Sequence, residues 1–307
     1  MYPLRGIALK LGSVCVFMAM ASLIKASSDY VPPGQAVFFR SLFALPVIVI
    51  WLAYRRELST GLKTKNPMGH VWRGLVGTSA MGLSFAGLGL LPLPEVTAIG
   101  YASPILVVVF AAMFLGEEVR LFRLSMVALG MLGVLVVLSP RLQVDPTSAG
   151  TDDALGAIVI LMAAVFAALA QVFVRKMVAT ETTAAIVFYF SITATCLSLL
   201  TLPWGWAWPP LWVVGMLILA GLAGGVGQIL LTSSYRNADA SLIAPFDYAS
   251  MLLAVVVGYT VFGEVPGATT LAGGAMVVVA GILIILRERK LGIERAQQRK
   301  ATPNNLS

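Results

Sequence analysis

The 307 residues are 59% hydrophobic and only 11% charged, with a mean hydropathy of +0.90. Soluble domains carry about 25% charge, so the composition excludes an ordinary soluble fold and points to a chain that crosses a membrane repeatedly. The net charge of +7 is spread between apolar runs, which makes it a topology signal rather than a nucleic-acid patch.

Ten apolar runs follow one another at 7–26, 35–54, 71–91, 96–115, 121–139, 154–174, 183–203, 211–234, 240–262 and 267–286. Most are near the roughly 20 residues that span a bilayer core. Strong helix formers and many glycines, without the short apolar/polar alternation of an outer-membrane barrel, predict an all-α polytopic membrane protein of ten transmembrane helices.

The first run follows Arg5 and Lys10 and contains Ala19-Met20-Ala21, the outline of a cleavable leader. Its counterpart at 154–174 argues that it is retained. Lys25 closes this run on the outer side, where it can snorkel to the interface or meet a cargo. Arg40 lies about a third of the way into the second run. Either it binds a carboxylate or phosphate, or it pairs permanently with an acid or a carbonyl. His70, the one histidine, is placed at the inner interface beside Trp72 and Arg73, away from metal or proton chemistry. Gly74, Gly77 and Gly82 in the third run are small-residue packing positions.

Glu95 opens the fourth run behind Pro92 and Pro94, where it can cap the helix N-terminus. Tyr101, Ser103 and Pro104 follow near the centre, and the proline is expected to break the helix and free backbone carbonyls toward a cavity. Gly116-Glu117-Glu118 ends this helix, with Arg120 and Arg123 as compensating cations. The fifth run holds Gly130 and Gly133. In the sixth and eighth runs, Gln171 and Gln228 each either bond a neighbouring helix or line the cavity. Cys15 and Cys196 are read as buried small hydrophobes. Trp204, Trp206 and Trp208, between the seventh and eighth runs, form an interfacial aromatic belt.

The ninth run contains Pro245, a second helix break, followed by Asp247, Tyr248 and Ser250. A charge at the bilayer centre costs roughly 2.5–3.5 kcal/mol on insertion scales. Asp247 lies about eight residues, or ~12 Å, into its helix, and is read as a substrate or proton-coupling group, against a structural salt bridge with Lys25 or Arg40. Tyr101 and Tyr248 make a candidate stacking wall for a planar cargo, against ordinary core packing. The tenth run adds Gly273, Gly274 and Gly281, and a basic tail follows.

The chain is also a duplication. At a shift of 147, Tyr101-Ala102-Ser103 falls on Tyr248-Ala249-Ser250 and Gly116-Glu117 falls on Gly263-Glu264; at 150, Val37-Phe38-Phe39-Arg40-Ser41 falls on Val187-Phe188-Tyr189-Phe190-Ser191. The organisation is a first repeat over 1–139, an outer linker over 140–153, a second repeat over 154–286 and a cytoplasmic tail over 287–307. Five helices per half invert one half relative to the other, an arrangement found in secondary transporters. With the N-terminus inside, eighteen of the 21 Lys and Arg residues fall on the inner side, which sets both termini in the cytoplasm. No GxxxxGK[ST] phosphate loop is present, so the driving force is a gradient or the cargo's own concentration difference.

Ala244-Pro245-Phe246-Asp247-Tyr248-Ala249-Ser250, then Phe262-Gly263-Glu264-Val265-Pro266 and a last helix ending Arg287-Glu288-Arg289, resembles the second repeat of EamA-type carriers of the drug/metabolite transporter superfamily. Leu115-Gly116-Glu117-Glu118 resembles the same pattern in the first half, and the resemblance spans essentially the whole chain. It implies ten helices around a central cavity, with amino acids, sugars, vitamins, nucleotides and other metabolites as cargo. The Pro-Phe-Asp-Tyr branch resembles bacterial riboflavin and S-adenosylmethionine carriers.

The expected function is secondary transport of a small organic metabolite across the inner membrane by alternating access. Riboflavin or a related planar metabolite is the first cargo, with S-adenosylmethionine uptake or amino-acid or drug export as alternatives. A membrane-embedded transferase is the competing class, but acids scattered at helix ends offer neither a metal cluster nor a nucleophile with its base. No catalytic residue, metal or cofactor is expected. The binding or coupling set is Asp247, Arg40, Tyr101, Tyr248, Ser103, Gln171, Gln228 and Lys25, with breaks at Pro104 and Pro245. Expected partners are the small-molecule substrate and membrane lipid, with a homodimer left open and no nucleic acid.

Overall fold

The computed structural model describes residues 3–115, 121–140, 150–178, 180–237 and 244–301. Gly116, Glu117, Glu118, Arg120 and Arg141 lie outside the described residues. Regular structure among the described residues is helical: α1 (Pro3–Ser27), α2 (Pro33–Tyr54), a one-turn α3 (Leu58–Gly61), α4 (Pro67–Leu90), α5 (Leu93–Gly100), α6 (Ala102–Leu115), α7 (Leu121–Leu138), α8 (Gly150–Val178), α9 (Thr183–Leu199), α10 (Leu211–Asn237), α11 (Ala249–Phe262) and α12 (Ala268–Ala301). Two 3₁₀ stretches, Leu202–Trp204 and Ala244–Tyr248, complete the order.

Local chemistry sets several boundaries. Proline occupies the first turn of α2 and α4, where its missing N–H costs nothing. The Asn66 side chain accepts from the Gly69 amide and the Thr182 hydroxyl accepts from the Ala185 amide, capping α4 and α9. α11 ends at Gly263, whose φ of 67° needs a residue without a Cβ.

Four helices contain stretches long and apolar enough to cross a membrane, at Leu4–Ser27, Pro33–Tyr54, Asp153–Val174 and Leu211–Leu231. Shorter apolar helices run over Leu93–Val107, Leu124–Leu138, Ala184–Leu199, Phe246–Phe262 and Ala268–Ile284. With α4, these ten segments match the ten apolar runs. The fourth and ninth runs were expected to break at Pro104 and Pro245, and both are interrupted just beside these prolines. α5 stops at Gly100, with Tyr101 as its C-cap, because Pro104 cannot donate to the Gly100 carbonyl. The ninth segment starts as the 3₁₀ stretch that contains Pro245 and becomes α11 only at Ala249.

The main helix pairings recur with the halves exchanged. α1 packs on α10 and α8 on α4; α2 packs on α10 and α9 on α4; α2 meets α9, and α7 meets α12, across the centre. The same exchange holds residue by residue. A Cβ at Gly74 would press on Thr193 and one at Gly221 on Phe43; a Cβ at Gly77 would press on Phe190 and one at Gly224 on Arg40. Gly74 and Gly77 map to Gly221 and Gly224 at the 147 shift, and Phe43 and Arg40 map to Thr193 and Phe190 at the 150 shift. The α7–α12 seam closes on glycine, since a Cβ at Gly133 would stand 2.7 Å from the Gly273 carbonyl oxygen. Gly82 is not a seam position, as nothing lies within 4 Å of where its Cβ would be. Cys15 and Cys196 are exposed on helix surfaces rather than buried. Trp204 and Trp208 are exposed as a belt requires, and Gln35 fixes their loop through both the amide and the carbonyl of Ala207.

At the near end of the bundle, where α1 begins, a buried carboxylate organises the loops. Glu181 Oε1 accepts from the Thr64 hydroxyl at 3.1 Å and from the amides of Lys65 and Asn66 at 2.7 and 2.8 Å. Its Oε2 stands 3.4 Å from Nε2 of His70, which is buried against Tyr189 rather than lying open at the interface. Burial pushes the Glu181 carboxyl up, but the hydrogen bonds from the Lys65 amide, the Asn66 amide and Thr64, with the His70 ring beside it, outweigh it and hold the group below its ordinary 4.5. A lowered folded-state value means the stabilisation is present above 4.5 and is lost as pH falls through that lowered value. Glu181→Gln is therefore expected to lower the thermal midpoint of the detergent-solubilised protein at pH 7, by about 1.5–3 kcal/mol of unfolding free energy, the worth of a hydrogen bond to a charged group. The gap from the wild type should close as the buffer is taken below pH 4.5.

Candidate functional site

Lys10 stands seven residues into α1, about 11 Å from its start. Its side chain is 2% exposed and its ammonium is 2.6 Å from Asp247 Oδ1. Asp247, in the 3₁₀ stretch, is 48% exposed. An ionised carboxylate is not stable against lipid, so this open half calls for water or a protein cavity. The partners expected for Asp247 were Lys25 or Arg40; the structure replaces them with Lys10, which charge counting had assigned to the inner rim. The reason is helix length: α1 starts at Pro3, so Lys10 is carried two turns inside.

Hydroxyl groups hold the segment that carries Asp247. Ser250 Oγ donates to the Asp247 carbonyl at 2.7 Å, and the Tyr101 hydroxyl hydrogen-bonds Ser250 Oγ and reaches the same carbonyl at 3.4 Å. The rings of Tyr101 and Tyr248 meet edge to face, 5.2 Å between centroids, and both are buried. The Tyr248 hydroxyl rests where a Cβ on Gly281 would stand. The two tyrosines thus close on each other as core, and the open stacking wall expected of them is not formed. Gln171 Nε2 donates to the buried Ser103 Oγ at 3.3 Å, joining α8 to α6. Gln228 is half-buried in α10. Pro104 and Pro245 mark the two breaks but add no polar contact among the described residues.

Lys25 does not snorkel. Its ammonium donates to the carbonyls of Leu88 and Leu91 at 3.0 and 2.7 Å and pairs with Glu264 Oε1 at 2.9 Å, while Glu264 Oε2 accepts from the Leu93 amide at 2.8 Å. One ion pair therefore ties α1, α4, α5 and α11 together at the far end of the bundle, where α1 finishes. The first amide of α5, which Glu95 was expected to serve, is met by Glu264 from the other half; Glu95 lies buried in the first turn.

Arg40 is buried in α2, and its guanidinium carbon lies 5.8 Å from the ring centroid of Phe190; that of Arg73, from α4, lies 3.8 Å from the same ring. Sequence reading missed Lys10 and Arg73 as interior groups. The Asn66-Pro67 start of α4 places Arg73 two turns inside, so the helix-start signals held the information.

The EamA-like transporter family model matches residues 4–139 and 154–287. The chain is 31% identical over 289 residues to the pseudopaline exporter CntI of Pseudomonas aeruginosa (strain UCBPP-PA14), covering 91% of this chain and 95% of that protein. It is 25% identical over 292 residues to the S-adenosylmethionine uptake transporter of Rickettsia bellii, covering 92% and 97%, and 26% identical over 266 residues to the riboflavin transporter of Rhizobium johnstonii, covering 84% and 83%. A protein of known crystal structure shares the fold with a TM-score of 0.62 at 21% identity, covering 93% of this chain and 98% of its own. The chain belongs to the EamA-like transporter family, whose unit it carries twice.

Proposed function

We propose that the protein is a secondary carrier that moves a small zwitterionic organic metabolite across the inner membrane by alternating access, with both termini in the cytoplasm. The observation that carries this reading is the Lys10–Asp247 pair, a buried ammonium held by a half-open carboxylate on an interrupted helix. Removing one partner of a buried pair costs about 3–5 kcal/mol, so Asp247 stays with Lys10 until another cation or a proton competes for it. A cationic group on the cargo, or a proton, loosens the 3₁₀ segment as it binds. This links occupancy of the site to movement of α11.

The Lys25–Glu264 clamp closes the far end, assigned here to the outside, and the exchanged pairings of the two halves supply a second arrangement of similar energy. Relatives include an exporter and an uptake carrier, so membership of the family does not fix a direction. Interior charge favours a zwitterion: Asp247 offers a seat for a cationic group, and Arg40 and Arg73 add positive charge elsewhere in the interior. A planar cargo such as riboflavin is the second reading, supported by the Rhizobium relative; it requires the Tyr248 ring to leave Gly281.

In proteoliposomes, counterflow should be saturable with labelled amino acids or S-adenosylmethionine and absent with riboflavin; flux linear in concentration would contradict a carrier. Asp247→Asn should lower counterflow at least tenfold, and it should lower the thermal midpoint more than Lys10→Met does, because the lysine is the buried partner. Equal effects of the two substitutions would remove the pair from the mechanism. Lys25→Met should open the far end. In a Cys15→Ser, Cys196→Ser background, a membrane-impermeant maleimide applied outside should label Ser250→Cys several-fold faster when the clamp is gone, and an unchanged rate would show that the clamp does not gate.

A further inference from the structure

Two of the unpartnered interior groups, Arg40 and Arg73, meet over one ring. Nε and Nη1 of Arg40 and of Arg73 are enclosed without a hydrogen-bond partner among the described residues, as are the hydroxyls of Ser41, Ser191 and Thr78. No carboxylate among the described residues lies within ion-pair distance of either arginine. Both guanidinium groups stand over Phe190, and Ser41 and Ser191 adjoin Arg40 and Phe190 in the chain. The site is interior, since α2, α4 and α9 pack on one another, and a Cβ at Gly224 of α10 would stand 3.0 Å from Arg40 Nε and 3.1 Å from Met20 Sδ of α1.

The fold does not require these cations. Arg40 and Arg73 map onto Phe190 and Ala220 in the second half, and both of those positions are buried and support the mirrored packing without charge. Two like charges over one ring repel, and the ring quadrupole offsets only part of the cost of burying them. A planar, forked donor is matched by an oxyanion, which can take two parallel hydrogen bonds from each guanidinium.

We propose that Arg40 and Arg73 form an oxyanion subsite that takes a carboxylate or phosphate group, with Phe190 as its floor. That this anion is part of the cargo rests on the transport reading; that an anion binds does not.

The test is the thermal midpoint of the purified protein at fixed ionic strength in inorganic phosphate, acetate or chloride. Phosphate or acetate should raise the midpoint above chloride, by mass action on the folded state, and whichever does so names the group. Arg40→Gln and Arg73→Gln should each abolish the rise, while Arg55→Gln, at the exposed end of α2, should keep it. No rise over chloride, or a rise that survives both interior substitutions, overturns the subsite. Arginine-directed labelling of the wild type with phenylglyoxal, read by peptide mass, covers the case in which a variant does not fold. Protection of Arg40 and Arg73 by the effective anion supports the assignment, and equal labelling with and without it overturns it. Anion binding without counterflow of any anionic cargo would support the subsite and count against the carrier.

Discussion

A charge inside a bilayer must be matched inside the protein, because lipid supplies neither water nor counter-ions. Lys10 and Asp247 meet that constraint, and much of the surrounding structure serves their meeting. The ammonium is sealed in α1, so the carboxylate has to be brought to it from a helix that starts on the same side. The 3₁₀ stretch around Pro245 does this, and Ser250 and Tyr101 fasten its backbone. Lys25 meets the same constraint differently: two helix-end carbonyls and Glu264 surround it, so that its charge becomes the joint of four helices. The two lysines of α1 thus mark a half-open site and a closed end on a single rod.

On the carrier reading proposed above, the inverted repeat would supply the second state. Pairings of α1 with α10 and of α8 with α4 are the same contact made twice, and glycines at matched positions set the same close approaches against Phe43 and Thr193. A frame of this kind can tilt either way at little cost. Charges are not duplicated, however. Arg40 answers Phe190, Arg73 answers Ala220 and Asp247 answers Gly100, so the frame is symmetric while its interior charges, the groups proposed here to meet cargo, are not.

Much of the fold was legible in the chain because bilayer thickness and backbone hydrogen bonding leave few options: apolar runs of the right length become helices, and Pro104 and Pro245 mark their breaks. The repeat was legible through Tyr-Ala-Ser and Gly-Glu, although the first Gly-Glu lies outside the described residues. Partner choice was not legible. Glu264 reads as a helix-end acid until the fold brings it to Lys25, and the choice between wall and core for Tyr101 and Tyr248 stays open until their rings are seen edge on. Lys10 and Arg73 were misplaced because counting cations by loop treats any basic residue near a run's end as rim, whereas proline and asparagine start signals carry both helices two turns further out.

The most direct measurement is the Lys10 Nζ to Asp247 carboxyl separation by solid-state NMR dipolar recoupling in proteoliposomes, with and without a cargo active in counterflow. The account predicts the strong coupling expected of a 2.6 Å Nζ–Oδ1 pair in the empty carrier and its loss when cargo is added. Coupling that stays unchanged while such a cargo turns over would contradict it.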